Sequence, residues 1–266
     1  VPPDGADVLI PKVALDSYPI LSSAINLSSF TIDLNASLTL GGQNIACTTG
    51  FTNNGIVYSD GQGTVTIPVG SAGVWEYDAG TVHTDLTFAE VRINGAVTSP
   101  SSDFSTAVLS VSSGTFTLAG NVEVTGTLTN NASIVIKDNE LRFLNYAENT
   151  TSTVNIENGT ITSTKTAGPA QNVSHITFTN GSTATINGGG GITLGVDDYN
   201  TVALVTTGIV NLPTGTIASL NVQSGTTTAD TLAVNDKVSA AGTLVLNGDN
   251  TISGNLVVTG KLTSTS

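Results

Sequence analysis

Acid–base or nucleophilic chemistry needs titratable side chains brought together, and this chain carries few of them. Its 266 residues hold seven Lys plus Arg, 20 Asp plus Glu and two His, for a net charge of −13. The arginines, Arg92 and Arg142, and the histidines, His83 and His175, lie far apart along the chain. Asp197-Asp198 is the one adjacent acidic pair and reads as a solvated turn. His83-Thr-Asp85 offers an imidazole and a carboxylate, but no nucleophile motif accompanies them. The single Cys47 rules out an intramolecular disulfide. It sits in the apolar run Ile45-Ala-Cys47 and reads as a small core residue. No catalytic residue and no cofactor site is expected, so the chain reads as something other than an enzyme.

Composition narrows the partners. So few cations argue against nucleic acid, which needs clustered Lys and Arg. No apolar run reaches the length of a membrane span, so no membrane insertion is expected. The stretch Gly188 to Asp198 resembles a calcium-binding nonapeptide repeat, yet Ile or Thr stands where Asp is required and no second copy follows. It reads as a glycine-rich turn, leaving nonspecific calcium at exposed carboxylates. Seven N-x-Ser/Thr sequons are no more than this composition produces by chance. Asn158 and Asn180, each followed by Gly in a turn dipeptide, are the candidate glycosylation sites.

What would position any of these residues is a repeat. Leu220-Asn-Val222, Leu232-Ala-Val234, Leu244-Val-Leu246 and Leu256-Val-Val258 recur every twelve residues. Gly242, Gly248, Gly254 and Gly260 punctuate the last copies every six. Gly114 to Thr129 matches Gly248 to Thr263 at nine of sixteen positions. Alternation with period two predicts short strands, and Gly and Asn between them predict tight corners. Three inward apolar side chains cannot offset the ordering of twelve residues, so the units must stack on one another. The expected fold is all-β, a β-solenoid like a parallel β-helix, with Leu220, Leu232, Leu244 and Leu256 in one interior ladder. Two units per turn, three chains sharing a turn, and antiparallel hairpins remain open.

Three regions are expected. Residues 1–20 form an extension, residues 21–113 a β region in which Trp75, Tyr77, Leu86 and Phe88 pack as a lateral hairpin or cap, and residues 114–266 the repetitive solenoid. The extension, rich in proline yet apolar, is a candidate donor strand. In that reading Val8, Ile10, Val13 and Leu15 fill pockets on the next subunit. Closure of the chain's own body by residues 7–15 is the alternative.

From Gly114 onward the pattern resembles the β-solenoid passengers of filamentous-haemagglutinin-like and autotransporter adhesins. The run Gly-Asn-Leu-Val-Val-Thr-Gly-Lys-Leu-Thr at 254–263 is also similar to phage tail-fibre repeats. The resemblance implies a surface-exposed structural or adhesive protein. A start at Val1-Pro-Pro without Met reads as a processed, secreted chain, and a piece trimmed at both ends is the alternative. The expected function is a self-assembling subunit of an extracellular filament, sheath or surface layer. A glycan-binding adhesin or phage-fibre segment comes second. A carbohydrate-active enzyme comes third, since polysaccharide lyases and hydrolases share the parallel β-helix.

Overall fold

The computed structural model describes residues 2–13, 18–68, 73–84, 86–157, 159–164, 171–178, 183–188, 192–204, 209–222 and 225–265. These residues form 24 strands and no helix. Every strand pairing is parallel, and the strands wind into a β-solenoid of about 11 turns. Hairpins are thereby excluded among the described residues.

One coil shows how the sequence makes the turn. Thr115–Leu118 is the first face, with Phe116 and Leu118 pointing inward. A corner at 119–121 leads into Val122–Asn130, which bends between Val124 and Thr127 and so serves two faces. Val122 and Val124 are buried on the second face, Leu128 and Asn130 on the third. The next coil starts at Ser133, which pairs with Thr115, and Leu141 lies on Val122. Alternation fills the interior from all three faces, and short corners of Gly, Asn and Ser turn the chain between them.

The repeat length therefore differs from the twelve-residue reading. Thr115 pairs with Ser133 and Leu244 with Leu262, a step of eighteen, while Ser133 pairs with Thr153 at a step of twenty and Thr226 with Thr243 at seventeen. Twelve residues are two of three faces. Leu220 lies under Val238, and Val238 under Leu256. Leu232 pairs instead with Gly215, and Leu244 stands between Thr227 and Leu262. The four leucines thus occupy three separate interior ladders rather than one. Leu220, Leu232 and Leu244 are buried, whereas Leu256 in the last coil is 42% exposed. Glycines every six residues mark successive corners, and only the fourth returns to the first. A Cβ on Gly260 would lie 2.2 Å from the Gly242 carbonyl oxygen, which leaves no room for a side chain at that corner.

The aromatic stretch is not a lateral hairpin or cap. Trp75 and Tyr77 are fully buried on the third face, where Val57 and Ser59 precede them and Val91 and Ile93 follow. The rings of Trp75 and Phe88 meet edge to face at 5.9 Å, and Phe88 meets Phe104 at 5.7 Å. Aromatic volume here fills the interior of ordinary coils. The ladders also cross residue 113 without a break, since Ala96 pairs with Thr115 and Phe104 with Val122. The two main regions read from sequence are one stack.

Buried polar groups sit where the corners need them. Asn130 is fully buried and donates from Nδ2 to the Thr153 carbonyl at 3.1 Å and to the Tyr146 hydroxyl at 3.2 Å. Its Oδ1 accepts from the Ala132 N–H at 3.2 Å. Asn53 does the same work earlier, donating to the Val74 carbonyl and accepting from Gly55 N–H. Each asparagine ends a strand at a corner, Asn130 on the third face and Asn53 on the face before it, and satisfies backbone groups of two coils.

Candidate functional site

Two kinds of surface stand out: the ends of the stack and its lateral faces. At the C-terminal end, Asn255–Val258 lies on 237–240 and Lys261–Thr265 on Thr243–Asn247. One coil earlier the interior positions Val238 and Leu244 are fully buried. In the last coil their counterparts Leu256 and Leu262 are each 42% exposed, and Val257, on the outer side of the strand, is 46% exposed. Lys261 is the one charged residue of these two strands. Among the described residues these strands are paired on one side only, beside half-open apolar side chains.

The N-terminal end is built differently. Ala6–Ile10 pairs in parallel with Ile25–Ile32 of its own body, placing Val8 beside Phe30 and Ile10 beside Ile32. Ile20 then bridges to Thr39, so of the described residues 6–10 and 19–21 lie on the coil that follows. Ile10 is buried in the core of this same chain and Val8 packs against it. Within this single chain residues 6–10 pair with their own body, which engages Val8 and Ile10 there. The alternation of Ala6, Val8 and Ile10 matches the inward positions of the next coil. Val13 is 39% exposed, and Leu15 lies outside the described residues. Pro2 and Pro3 precede the strand Ala6–Ile10 and Pro11 follows it, and proline offers no N–H to an incoming strand.

The lateral faces carry charge ladders that distance in sequence conceals. On the second face Ser105, Glu123, Arg142 and Thr162 are successive partners in register. Beside them Asn121 Nδ2 donates to Asp103 at 3.0 Å, and the Glu140 N–H donates to Asn121 Oδ1 at 2.9 Å. Arg142 stands 3.9 Å from Glu123 and 3.7 Å from Glu140. An open depression of about 330 Å³ lies over these groups. On the third face Arg92 forms a two-pronged pair with Glu90 at 2.7 and 3.1 Å, and Asn94 donates to Glu76 at 2.6 Å. A coil of eighteen to twenty residues, not twelve, is the signal that would have assembled both groups from the sequence.

His83 does not stand with a nucleophile. Its Nδ1 is 2.9 Å from the Tyr77 hydroxyl and its ring meets Trp75 edge to face at 5.4 Å. Burial pushes its pKa below 6.5, and the backbone of Gln62 and Gly63 with the Asp60 carboxylate offsets this only in part. Burial also raises the Cys47 thiol to about 11, which keeps it protonated among core residues. Asn158, Asn180 and Asp85, and the side chains of His175, Asp197 and Asp198, lie outside the described residues. Among the described residues no three His, Cys, Asp or Glu are placed to hold a metal ion, and no helix is long and apolar enough to cross a membrane.

Comparison of the chain with protein-family models, curated proteins and solved structures gives no match.

Proposed function

We propose that this chain is a structural subunit of an extracellular polymer, a β-solenoid rod that lengthens by stacking coil on coil. The observation that carries this reading is the rung at 251–265. It continues the interior ladders of the body yet leaves Leu256 and Leu262 about two-fifths exposed beside strand edges paired on one side only among the described residues. Covering such side chains is favourable by roughly 1.5–3 kcal/mol each when burial is complete. The coil register supports the same reading. Each coil already accepts its neighbour through main-chain bonds, and the proposed occupant of the rung is a coil from a second copy. The proline-flanked N-terminal strand pairs in cis, so the join is a docking of coils rather than the loan of Asp7 to Leu15. The low content of charge and the polar Thr-, Ser- and Asn-rich faces suit a solvated rod outside the cell. Negative-stain electron microscopy of the purified chain tests the reading. Rods of constant width and variable length are expected, and only short particles of one chain's length at every concentration would overturn it.

A further inference from the structure

Beyond a structural role, the second face carries a trough with its own chemistry. The depression over Glu123, Glu140 and Arg142 shares Asp103, Phe104 and Ser105 with a second one of about 370 Å³. The latter continues past Ser102 and Pro100 to Thr87 and His83. The joined trough crosses coils at His83, Thr84, Leu86 and Thr87, then at 102–105, 121–123 and 140–142. At a strand spacing near 4.8 Å it runs for about 14 Å along the axis. It suits a linear ligand lying along the rod.

Its walls decide what that ligand is. The strands beneath it at 122–124 and 141–143 are paired on both sides, and 104–106 pairs with 122–124 and, at Thr106, with Phe88, which leaves an extended peptide little backbone edge to join. The floor residues Phe104 and Val122 are buried, and the exposed large apolar side chains of the described residues lie elsewhere, at Leu9, Val13, Ile20, Leu34, Leu256, Val257 and Leu262. Apolar surface is limited to the half-buried Leu86 at one end of the trough. Three carboxylates, Asp103, Glu123 and Glu140, against one guanidinium repel nucleic acid and anionic polysaccharide. What remains is a dense alternation of acceptors and donors. Carboxylates accept from hydroxyls, Arg142 donates from a fork, and Ser105 and Asn121 can do either. Glu123 and Arg142 are each nearly half exposed, and their ion pair is loose at 3.9 Å. Both can turn toward a ligand at little cost.

We infer that this trough binds a neutral, linear oligosaccharide through its hydroxyl groups, with Glu123, Glu140 and Arg142 as the central contacts. The rod then carries a lateral glycan-binding face along its length, separate from the rung at which copies join.

Isothermal titration of the purified chain tests this, using cellohexaose, maltohexaose, chitohexaose and mannohexaose as neutral probes and oligogalacturonate as the anionic one. At least one neutral probe should bind saturably with Kd below about 1 mM. Glu123→Gln and Arg142→Gln, both at exposed positions, should each weaken that binding by about tenfold. Glu157→Gln on the first face should leave it unchanged. Circular dichroism of each variant confirms that the coil is retained. No saturable binding of any neutral probe, stronger binding of oligogalacturonate, or binding indifferent to both substitutions would overturn the inference. None of these outcomes bears on rod formation, which is read separately by microscopy.

Discussion

At the scale of single residues, the solenoid depends on a few polar groups placed where three faces meet. Asn130 satisfies the Thr153 carbonyl and the Ala132 N–H at a corner closed to water. Asn130→Leu keeps the volume and removes both bonds. Leaving such groups unpaired costs about 1–3 kcal/mol each, so denaturant unfolding should show a loss of about 2–5 kcal/mol. A variant as stable as the parent would contradict the corner role. His83 gives a pH dependence of known sign. Its folded pKa is depressed below the ordinary 6.5, so the unfolded chain binds the proton more readily. The contribution is complete above about pH 6.5 and is lost as pH falls through the folded value. His83→Gln should flatten that part of the stability profile. A parent profile equally flat between pH 7 and 4.5 would show that the imidazole is free to charge.

At the scale of elements, the coil is the unit, and each element is tested by removing what it stacks on. Leu244 is fully buried between Thr227 and Leu262. Leu244→Asp places an unpaired charge in that ladder and should melt the C-terminal coils. Hydrogen exchange should then show protection lost after residue 226 and retained at 104–156. Deleting residues 1–16 strips the first strand from Phe30 and Ile32, which are otherwise covered. The product should aggregate. A clean, stable monomer would show instead that this segment is dispensable to its own body.

Much of this was legible in the sequence, and what was not has a physical reason. Alternation at Phe116/Leu118 and Ile134/Ile136, with Gly and Asn between runs, was enough for an all-β solenoid. The coil length was hidden because three six-residue faces are chemically alike. A period of six cannot distinguish twelve from eighteen. The true partner of Leu220 and Leu256 is Val238, which sits between Lys237 and Ser239 and breaks the leucine pattern. With the wrong period, Glu123 and Arg142 read as distant and Trp75 read as part of a cap. The first strand was half legible. Val8 and Ile10 alternate as a strand should, but alternation alone does not say whose body receives it.

At the scale of the whole molecule, the stack has two unlike ends and polar sides. The N-terminal strand pairs with its own body and is flanked by prolines, while the rung at 251–265 exposes interior positions and strand edges. Assembly directed by that rung should depend on apolar contact more than on charge, and so should survive high salt. The most direct measurement is sedimentation velocity across a concentration series, for the parent chain and for the double variant Leu256→Lys, Leu262→Lys. Both positions are about two-fifths exposed in the single chain, so the variant should fold. The predicted result is a parent that shifts to faster, elongated species with concentration and a variant that stays at the size of one chain. A parent that remains monomeric throughout, or a variant that assembles as the parent does, would contradict the account.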